Sequence, residues 1–278
     1  MDNRQIDLHL HTTASDGRLT PTELVLVARR LKLTIISITD HDTTDGIPVA
    51  RVSAQGNLTI IPGIELSTVD NGDDVHMLGY YIDITNDRLQ TALSDFREAR
   101  DSRARKIVNR LAELHMPIRW EQVQEAANGG AIGRPHIARV MVETGHVGSV
   151  GEAFEKYLYT GGPAYIARKR LTPEEGIQLI HSAGGVAILA HPGLVKDYES
   201  LIQRLVTTGL DGVEINHPKN SSEVRTRLWE LAKQYNLITT GGSDYHNDER
   251  GPMASEVPPD GCVEMLEARA RQYHTETE

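Results

Sequence analysis

Residues 6–11 read IDLHLH, and this stretch defines the first strand of the predicted fold. Polar and apolar residues alternate with a period of two, so a strand would place Asp7, His9 and His11 on one face and the three aliphatic residues on the other. Two imidazoles on one strand face can reach a single metal ion. An isolated HxH is equally compatible with two histidines satisfied inside a core, so its meaning depends on the rest of the chain.

Short apolar, β-rich runs alternate with helical patterns along the chain, which is typical of an α/β protein with a mostly parallel sheet. Thr20 and Thr172 each precede a Pro and, three residues on, a Glu, so each predicts a capping box at a helix start. Seven strands fit a closed or nearly closed βα barrel. The predicted strands cover residues 6–10, 34–39, 58–61, 75–81, 186–190, 212–215 and 237–240.

The region between Tyr81 and Val186 has little strand character. From Leu89 onward, apolar residues recur at helical spacing with arginines and a lysine between them, and shorter helices are predicted at 120–127, 135–143 and 150–158. The βα pattern resumes afterwards. The sequence therefore predicts a barrel built from residues 1–85 and 166–278, with a small helical subdomain, residues 86–165, inserted into it.

Nearly every predicted strand has a His, Asp or Glu at or just past its carboxyl end, the face where βα barrels build their active sites. Histidines that merely fill a core would not be expected at this position in one strand after another. Imidazoles and carboxylates without thiolates suit Mn, Fe or Zn, and the number of donors exceeds the four of one tetrahedral ion, so at least two ions are expected. The predicted ligands are His9, His11, Asp16, His41, Glu65, His76, His191, Asp244 and His246.

The motifs DLHLHTTASDG, TDHD, GIELS, VHMLGY, AHPG and GGSDYH, in this order, resemble those of the polymerase and histidinol phosphatase (PHP) superfamily of metal-dependent phosphoesterases. GRPHIA and YLYTGGPAYIARK, in the insert, resemble the subgroup that dephosphorylates nucleoside 3′,5′-bisphosphates or trims 5′ ends of short RNA. The resemblance implies a distorted (β/α)7 TIM-like barrel with a trinuclear centre. It implies one ion held by His9, His11, Glu65 and Asp244, a second by Glu65, His76 and His191, and a third by Asp16, His41 and His246.

Further residues are candidates for supporting roles. Asp7 and Asp40 are predicted to orient ligating imidazoles, with plain rim acids as the alternative. Arg134 opens a helix, so its guanidinium and the helix N-terminus together suit a phosphate. His217 is a candidate proton donor for the leaving group. The other candidate substrate contacts, each with a solvated or rim position as the alternative, are His136, Arg168, Lys169 and Asn216.

The favoured hypothesis is hydrolysis of a phosphate monoester, converting a nucleoside 3′,5′-bisphosphate to the 5′-monophosphate. The site would hold two to three divalent ions, with Mn as the first candidate and Zn or Fe as the others. A hydroxide bridging two of these ions would attack the phosphorus. One alternative is a 5′→3′ exonuclease on short 5′-phosphorylated single-stranded RNA or DNA. Histidinol-phosphate phosphatase and a non-catalytic metal-binding module are the others. Aromatic residues, at 5%, favour a compact substrate over stacked bases.

Composition limits the remaining classes. The 278 residues include 29 Lys and Arg against 39 Asp and Glu, a formal charge of −10 that argues against duplex nucleic acid as a partner. No apolar run approaches the roughly 18 residues needed to span a membrane, and the first residues do not form a signal-peptide pattern, so a cytoplasmic location is expected.

Cys262 is the only cysteine, which excludes an internal disulfide and a zinc–thiolate cluster. Ala268 stands where a C-x5-R phosphatase loop needs Arg, and no P-loop motif occurs.

Overall fold

A computed structural model of the chain describes residues 5–54, 56, 58–127, 132–166, 171–249 and 251–275. The chain divides into two compact units. Unit 1 comprises Met1–Thr91 and Arg170–Glu278, and unit 2 comprises Ala92–Lys169. Among the described helices, none combines the length and the apolar character that a membrane span requires.

Unit 1 contains a curled sheet of seven strands that lie side by side in chain order. Four of the neighbouring pairs are parallel, whereas β4 runs antiparallel to both β3 and β5. A single bridge between Leu10 and Tyr245 connects β1 to the chain that follows β7. The strands are β1 (Ile6–Leu10), β2 (Ile35–Ile38), β3 (Thr59–Asp70), β4 (Asp73–Tyr80), β5 (Val186–Leu189), β6 (Gly212–Asn216) and β7 (Ile238–Gly241).

All seven predicted strands are present, but β3 is much longer than predicted. It continues beyond residue 61 to Asp70 and forms a hairpin with β4. Asn71 and Gly72 make the turn, both with positive φ (49° and 92°), the backbone conformation of a type I′ hairpin turn. The sheet is mostly parallel, as predicted, and β4 is the exception, because a tight turn of two residues can join only antiparallel strands.

Two helices begin at the predicted capping boxes. Thr20 Oγ1 accepts a hydrogen bond from Glu23 N (3.2 Å) and Glu23 accepts one from Thr20 N (2.8 Å). Thr172 and Glu175 repeat the same reciprocal pair, so both predicted capping boxes are confirmed. The described α-helices are α1 (Pro21–Arg30), α2 (Gly46–Ser53), α3 (Asp87–Glu113), α4 (Trp120–Ala127), α5 (Arg134–Glu143), α6 (Val150–Ala153), α7 (Pro173–Ser182), α8 (Tyr198–Val206), α9 (Ser222–Tyr235) and α10 (Cys262–Thr275).

Each unit has its own apolar core. In unit 1, one cluster joins the sheet to α10 and includes Leu8 and Leu266, and a second joins α1 and α2 to the strands. In unit 2, the buried side chains come from α3 to α6 and the segments between them, with Ile107 and Leu111 on the buried side of α3. The helix predicted over 150–158 is α6 followed by a π-helical turn, Phe154–Leu158.

Candidate metal centre

The nine predicted ligands all belong to unit 1 and lie at one edge of the sheet. His9 is on β1 and His11 directly follows it. His41 follows β2, while Glu65 and His76 lie within the β3–β4 hairpin. Asp16 lies in the turn that follows β1. The remaining ligands, His191, Asp244 and His246, lie just beyond β5 and β7.

His9, His11, Glu65 and Asp244 form one tight group of donor atoms. Glu65 Oε2 lies 3.3 Å from His9 Nε2 and 3.2 Å from His11 Nε2. Asp244 Oδ1 lies 3.4 Å and 3.2 Å from the same two nitrogens. Donors about 2.0–2.2 Å from a tetrahedral ion stand roughly 3.4 Å apart, so these separations fit one ion at the centre of the group.

A second group consists of His11, Asp16, His41 and His246. Asp16 Oδ1 lies 3.2 Å from His246 Nε2 and 3.8 Å from His41 Nε2. His11 takes part through its other nitrogen, since Nδ1 is 4.0 Å from Asp16 Oδ1. His11 therefore stands between the two groups.

Glu65 is the central carboxylate of the cluster. Its Oε1 lies 2.8 Å from His76 Nδ1 and 2.9 Å from His191 Nε2, and its Oε2 lies 3.1 Å from His41 Nδ1. His41, Glu65 and His76 form a third compact group. His191 lies beside this group, sharing Glu65 Oε1 with His76 and placing its ring 5.2 Å from the ring of His76. The two oxygens of Glu65 thus face different sets of imidazoles, as a bridging ligand would.

Several buried polar atoms of the cluster have no hydrogen-bond partner within the described part of the chain. A buried polar atom left without a partner destabilises the fold by about 1–3 kcal/mol. Bound cations would satisfy the carboxylate oxygens and the one nitrogen of each neutral imidazole that carries a lone pair. The donor set therefore fits divalent ions. The atoms are His9 Nε2, His11 Nδ1 and Nε2, Asp16 Oδ1, His41 Nδ1, Glu65 Oε2 and His246 Nε2.

Two imidazoles have tautomers fixed by the hydrogen bond of the ring nitrogen that faces away from the cluster. His246 Nδ1 lies 2.9 Å from the carbonyl oxygen of Asp244, which can only accept, so Nδ1 carries the hydrogen. His9 Nδ1 likewise donates to the carboxylate of Glu214 (2.9 Å). In both rings Nε2 is left with its lone pair facing the cluster, the form that binds a metal.

The electrostatics keep the carboxylates ionised. Burial acts to raise the pKa of Glu65, but the imidazoles of His41, His76 and His9 hold it well below its ordinary value. Burial also acts to raise the pKa of Asp244, but neighbouring imidazoles, above all that of His9, hold this pKa well below its ordinary value. Burial lowers the pKa of His41 to about 3, against the opposite pull of Glu65 and Asp16. Ionised carboxylates and a neutral imidazole are the states that metal binding requires.

Asp7 and Asp40 differ from their predicted role. Asp7 accepts hydrogen bonds from Ser243 N (3.0 Å), Ser243 Oγ (2.6 Å) and Ala254 N (2.8 Å). Asp40 accepts from Thr12 N and Oγ1 (both 2.7 Å) and from Ser15 Oγ (2.6 Å). Both carboxylates therefore hold the loops that carry Asp244 and Asp16. Within the described residues neither accepts a hydrogen bond from a ring nitrogen, because main-chain and hydroxyl donors occupy them.

Glu214, whose carboxylate orients His9, was not predicted from the sequence. The signal available was a single acid inside the otherwise apolar strand GVEI. His217 directly follows β6 and is buried, and its Nε2 lies 3.3 Å from Asp244 Oδ2. Asn216 donates its side-chain N–H to the carbonyl of Val257 (2.6 Å).

The other predicted substrate contacts belong to unit 2 or lie outside the described residues. Arg134 donates to the carbonyl of Leu158 (2.9 Å) and stacks over the ring of Phe154, and its burial lowers its pKa. His136 Nδ1 accepts a hydrogen bond from Gly133 N (3.0 Å) and so caps α5. Arg168 and Lys169 lie outside the described residues.

The chain is similar to known proteins in sequence and in fold. The profile of the PHP domain matches residues 7–130. The 5′-3′ exoribonuclease Rnm of Salmonella typhimurium is 41% identical over 247 residues, covering 86% of this chain and 84% of that protein. The 3′,5′-nucleoside bisphosphate phosphatase of Chromobacterium violaceum is 32% identical over 257 residues, covering 88% of each. A crystal structure from Bifidobacterium adolescentis, described as a candidate metal-dependent phosphoesterase, superimposes with a TM-score of 0.87 at 32% identity, covering 95% of this chain and 96% of that one.

Proposed function

Because the chain belongs to the PHP family of metal-dependent phosphoesterases, we propose that this hydrolase acts on a nucleoside 3′,5′-bisphosphate, releasing phosphate and the nucleoside 5′-monophosphate. The observation that carries the proposal is the buried cluster of imidazoles and carboxylates around Glu65. A relative named as a bisphosphate phosphatase supports the choice of substrate.

We propose that the cluster holds two to three divalent ions, Mn first and Zn or Fe as the other candidates. One ion would be bound by His9, His11, Glu65 and Asp244, a second by Glu65, His76 and His191, and a third by Asp16, His41 and His246. Ions held there would lower the pKa of a coordinated water and neutralise phosphoryl oxygens. We propose further that the curled sheet is a distorted (β/α)7 barrel and that residues 86–165 form its inserted helical subdomain.

His217 is the proposed proton donor to the leaving oxygen. The main-chain N–H of Lys219 donates to its Nδ1 (3.1 Å), so the neutral ring must carry its proton at Nε2. That nitrogen lies 3.3 Å from Asp244 Oδ2, at the edge of the metal-binding cluster. Other proposed phosphate contacts are Arg134, His136, Arg168, Lys169 and Asn216.

A cavity of about 360 Å³ next to His217 is the proposed place for a second phosphate of the substrate. Lys219 lines it together with two acids, Asp244 and Glu249, so the cavity adjoins the cluster and has one cation at its wall. Arg225 fixes the loop that carries Lys219, donating to the carbonyls of His217 (2.8 Å) and Asn220 (3.0 Å). A fixed loop that presents an exposed ammonium group suits recognition of phosphate.

Lys219→Ala is expected to raise KM for the bisphosphate by at least about tenfold, with little change in kcat. A charge-assisted hydrogen bond contributes about 1.5–3 kcal/mol. Because the contacted phosphate is remote from the reacting phosphorus, losing this bond weakens the binding of the substrate and of the transition state equally. Steady-state kinetics of the variant check this. The matched control is Lys233→Ala, which removes an exposed lysine of α9. An unchanged KM in Lys219→Ala would assign the cavity to something other than phosphate.

A 5′→3′ exonuclease is the second candidate function, because the relative named as an exoribonuclease shares more identity with this chain than the phosphatase does. Unit 2 carries a net positive charge. Residues 92–169 contain twelve Lys and Arg against nine Asp and Glu, in a chain that is acidic as a whole. On α3, exposed Arg105 stacks over Trp120 at 4.1 Å. Arginines with an aromatic ring are suited to a single nucleic-acid strand.

Product analysis with Mn-loaded protein separates the two functions. Adenosine 3′,5′-bisphosphate and a short 5′-phosphorylated RNA are supplied side by side. Free phosphate and AMP from the first substrate, with the RNA intact, is the expected result. Mononucleotides released from the RNA would establish the exonuclease, and no product from either substrate would refute both.

A further inference from the structure

Glu214 lies on β6 with its side chain completely buried, and each of its two oxygens has a separate partner. Oε1 accepts the Nδ1–H of His9 at 2.9 Å. Oε2 accepts the main-chain N–H of His191 at 2.8 Å. One carboxylate thus contacts two residues of the cluster that are far apart in the chain and belong to different proposed metal sites.

The bond to His9 sets which nitrogen faces the metal-binding cluster. A carboxylate has no hydrogen to give, so His9 must hold its proton on Nδ1 and expose the lone pair of Nε2. That nitrogen stands 3.3 Å from Glu65 Oε2 and 3.4 Å from Asp244 Oδ1. If the tautomer changed, an N–H would point at this position and could not bind a cation.

The bond to His191 holds its main chain in an unusual conformation. His191 has φ 30° and ψ 59°, in the left-handed region, although it is not glycine and precedes Pro192. Such a conformation persists where surrounding contacts impose it. With its N–H held by Glu214, His191 places Nε2 2.9 Å from Glu65 Oε1.

We propose that Glu214 is a positioning residue that couples two neighbouring metal sites, fixing the tautomer of His9 for one and the main chain of His191 for the other. The proposal rests on the proposed function, because it presupposes that the cluster binds divalent ions. Glu214 contacts no substrate in this scheme. It acts through the two histidines.

Glu214→Gln is the decisive variant because it keeps the shape and removes one acceptor. Glutamine offers one carbonyl oxygen and one NH2 group, whereas His9 Nδ1–H and His191 N–H both need an acceptor. If the NH2 group faces His9, the imidazole must turn to the tautomer that protonates Nε2. If the NH2 group faces His191, it points at the main-chain N–H of His191, and neither donor has an acceptor at this strained residue. Glu214→Asp keeps two acceptor oxygens and should rescue part of the loss.

Binding of Mn²⁺ to the full chain is measured by titration, following the EPR signal of the free ion, with far-UV circular dichroism to verify the fold. Glu214→Gln is expected to weaken Mn²⁺ binding about 10- to 100-fold, with Glu214→Asp between it and the parent. The matched control is Asp211→Asn, which changes another buried carboxylate bonded to an imidazole, His181, outside the cluster. It should bind Mn²⁺ as the parent does.

Parent-like affinity in Glu214→Gln, or equal losses in Glu214→Gln and Asp211→Asn, would overturn the positioning role while leaving the proposed function in place. If Glu214→Gln loses its circular dichroism spectrum, Glu214→Asp decides, and its parent-like affinity would overturn the role. A parent chain that binds no Mn²⁺ would instead show that the proposed function itself has failed. A ¹⁵N spectrum of the zinc-loaded protein gives a readout independent of activity, since the proposal requires His9 in the Nδ1–H form in the parent and its loss in Glu214→Gln.

Discussion

Glu65→Gln is expected to lower kcat/KM by at least about a thousandfold, because bound ions contribute several kcal/mol of charge stabilisation and each 1.36 kcal/mol is a factor of ten. The carboxylate of Glu65 has five imidazoles around it, and its two oxygens face different ones. An amide would remove the negative charge and direct N–H groups at ring nitrogens that need an acceptor or a cation. We expect the variant to lose bound metal along with turnover, which atomic emission measures directly.

The control for this variant is Glu174→Gln. Glu174 is partly buried in the same unit and pairs with Arg204 at 3.2 Å, away from the cluster. It should retain both metal and activity, so that a general effect of removing a glutamate charge is separated from the effect at the centre. Activity of Glu65→Gln within tenfold of the parent would contradict a bridging role for Glu65.

The cluster was predictable because it depends on periodicity and position along the strand. Chemistry-bearing residues at successive strand ends are brought together by any curled sheet whose strands lie in chain order, and His9, His41 and His191 meet around Glu65 for this reason. The supporting residues were less predictable. Asp7 and Asp40 are close in sequence to ligands, but their partners are main-chain and hydroxyl donors of loops, whose paths the strand pattern does not specify. Glu214 has no ligand as a sequence neighbour, so only the packing of β6 beside β5 and β7 reveals its role.

The length of β3 shows a different kind of failure. Pro62 and Gly63 resemble the end of a strand, and the prediction ended there. In the structure, Gly63 lets β3 pass close to β2, because a Cβ at that position would overlap Ser37 Oγ. The Asn71–Gly72 pair was the local signal for a hairpin, and with it the antiparallel pairing that places His76 beside Ser67 could have been predicted.

Asp211→Asn is expected to lower the free energy of unfolding by about 3 kcal/mol, because breaking a buried charge pair leaves charged partners uncompensated. Asp211 is buried and accepts hydrogen bonds from His181 Nε2 (2.8 Å), Ala187 N (2.9 Å), Arg269 Nη1 (2.5 Å) and Tyr273 OH (2.7 Å). These donors come from α7, β5 and α10, so one carboxylate joins three elements of unit 1. Urea unfolding at pH 7 measures the difference. Glu230→Gln, which removes an exposed partner of Arg227, should change stability by less than about 0.5 kcal/mol.

The pH dependence gives this prediction a second, independent check. Burial acts to raise the pKa of Asp211, but the hydrogen bonds from His181, Ala187 and Tyr273 hold it below its ordinary value. A carboxyl group with a depressed pKa in the folded state stabilises the fold above its unfolded pKa, about 3.9 for Asp, and loses that contribution as the pH falls through the folded value. The stability difference between the parent and Asp211→Asn should therefore be full at pH 7 and shrink below about pH 4. A difference that stays constant down to pH 3 would mean that Asp211 acts through its shape and its neutral hydrogen bonds, and that its charge contributes nothing to holding α7 and α10 on the sheet.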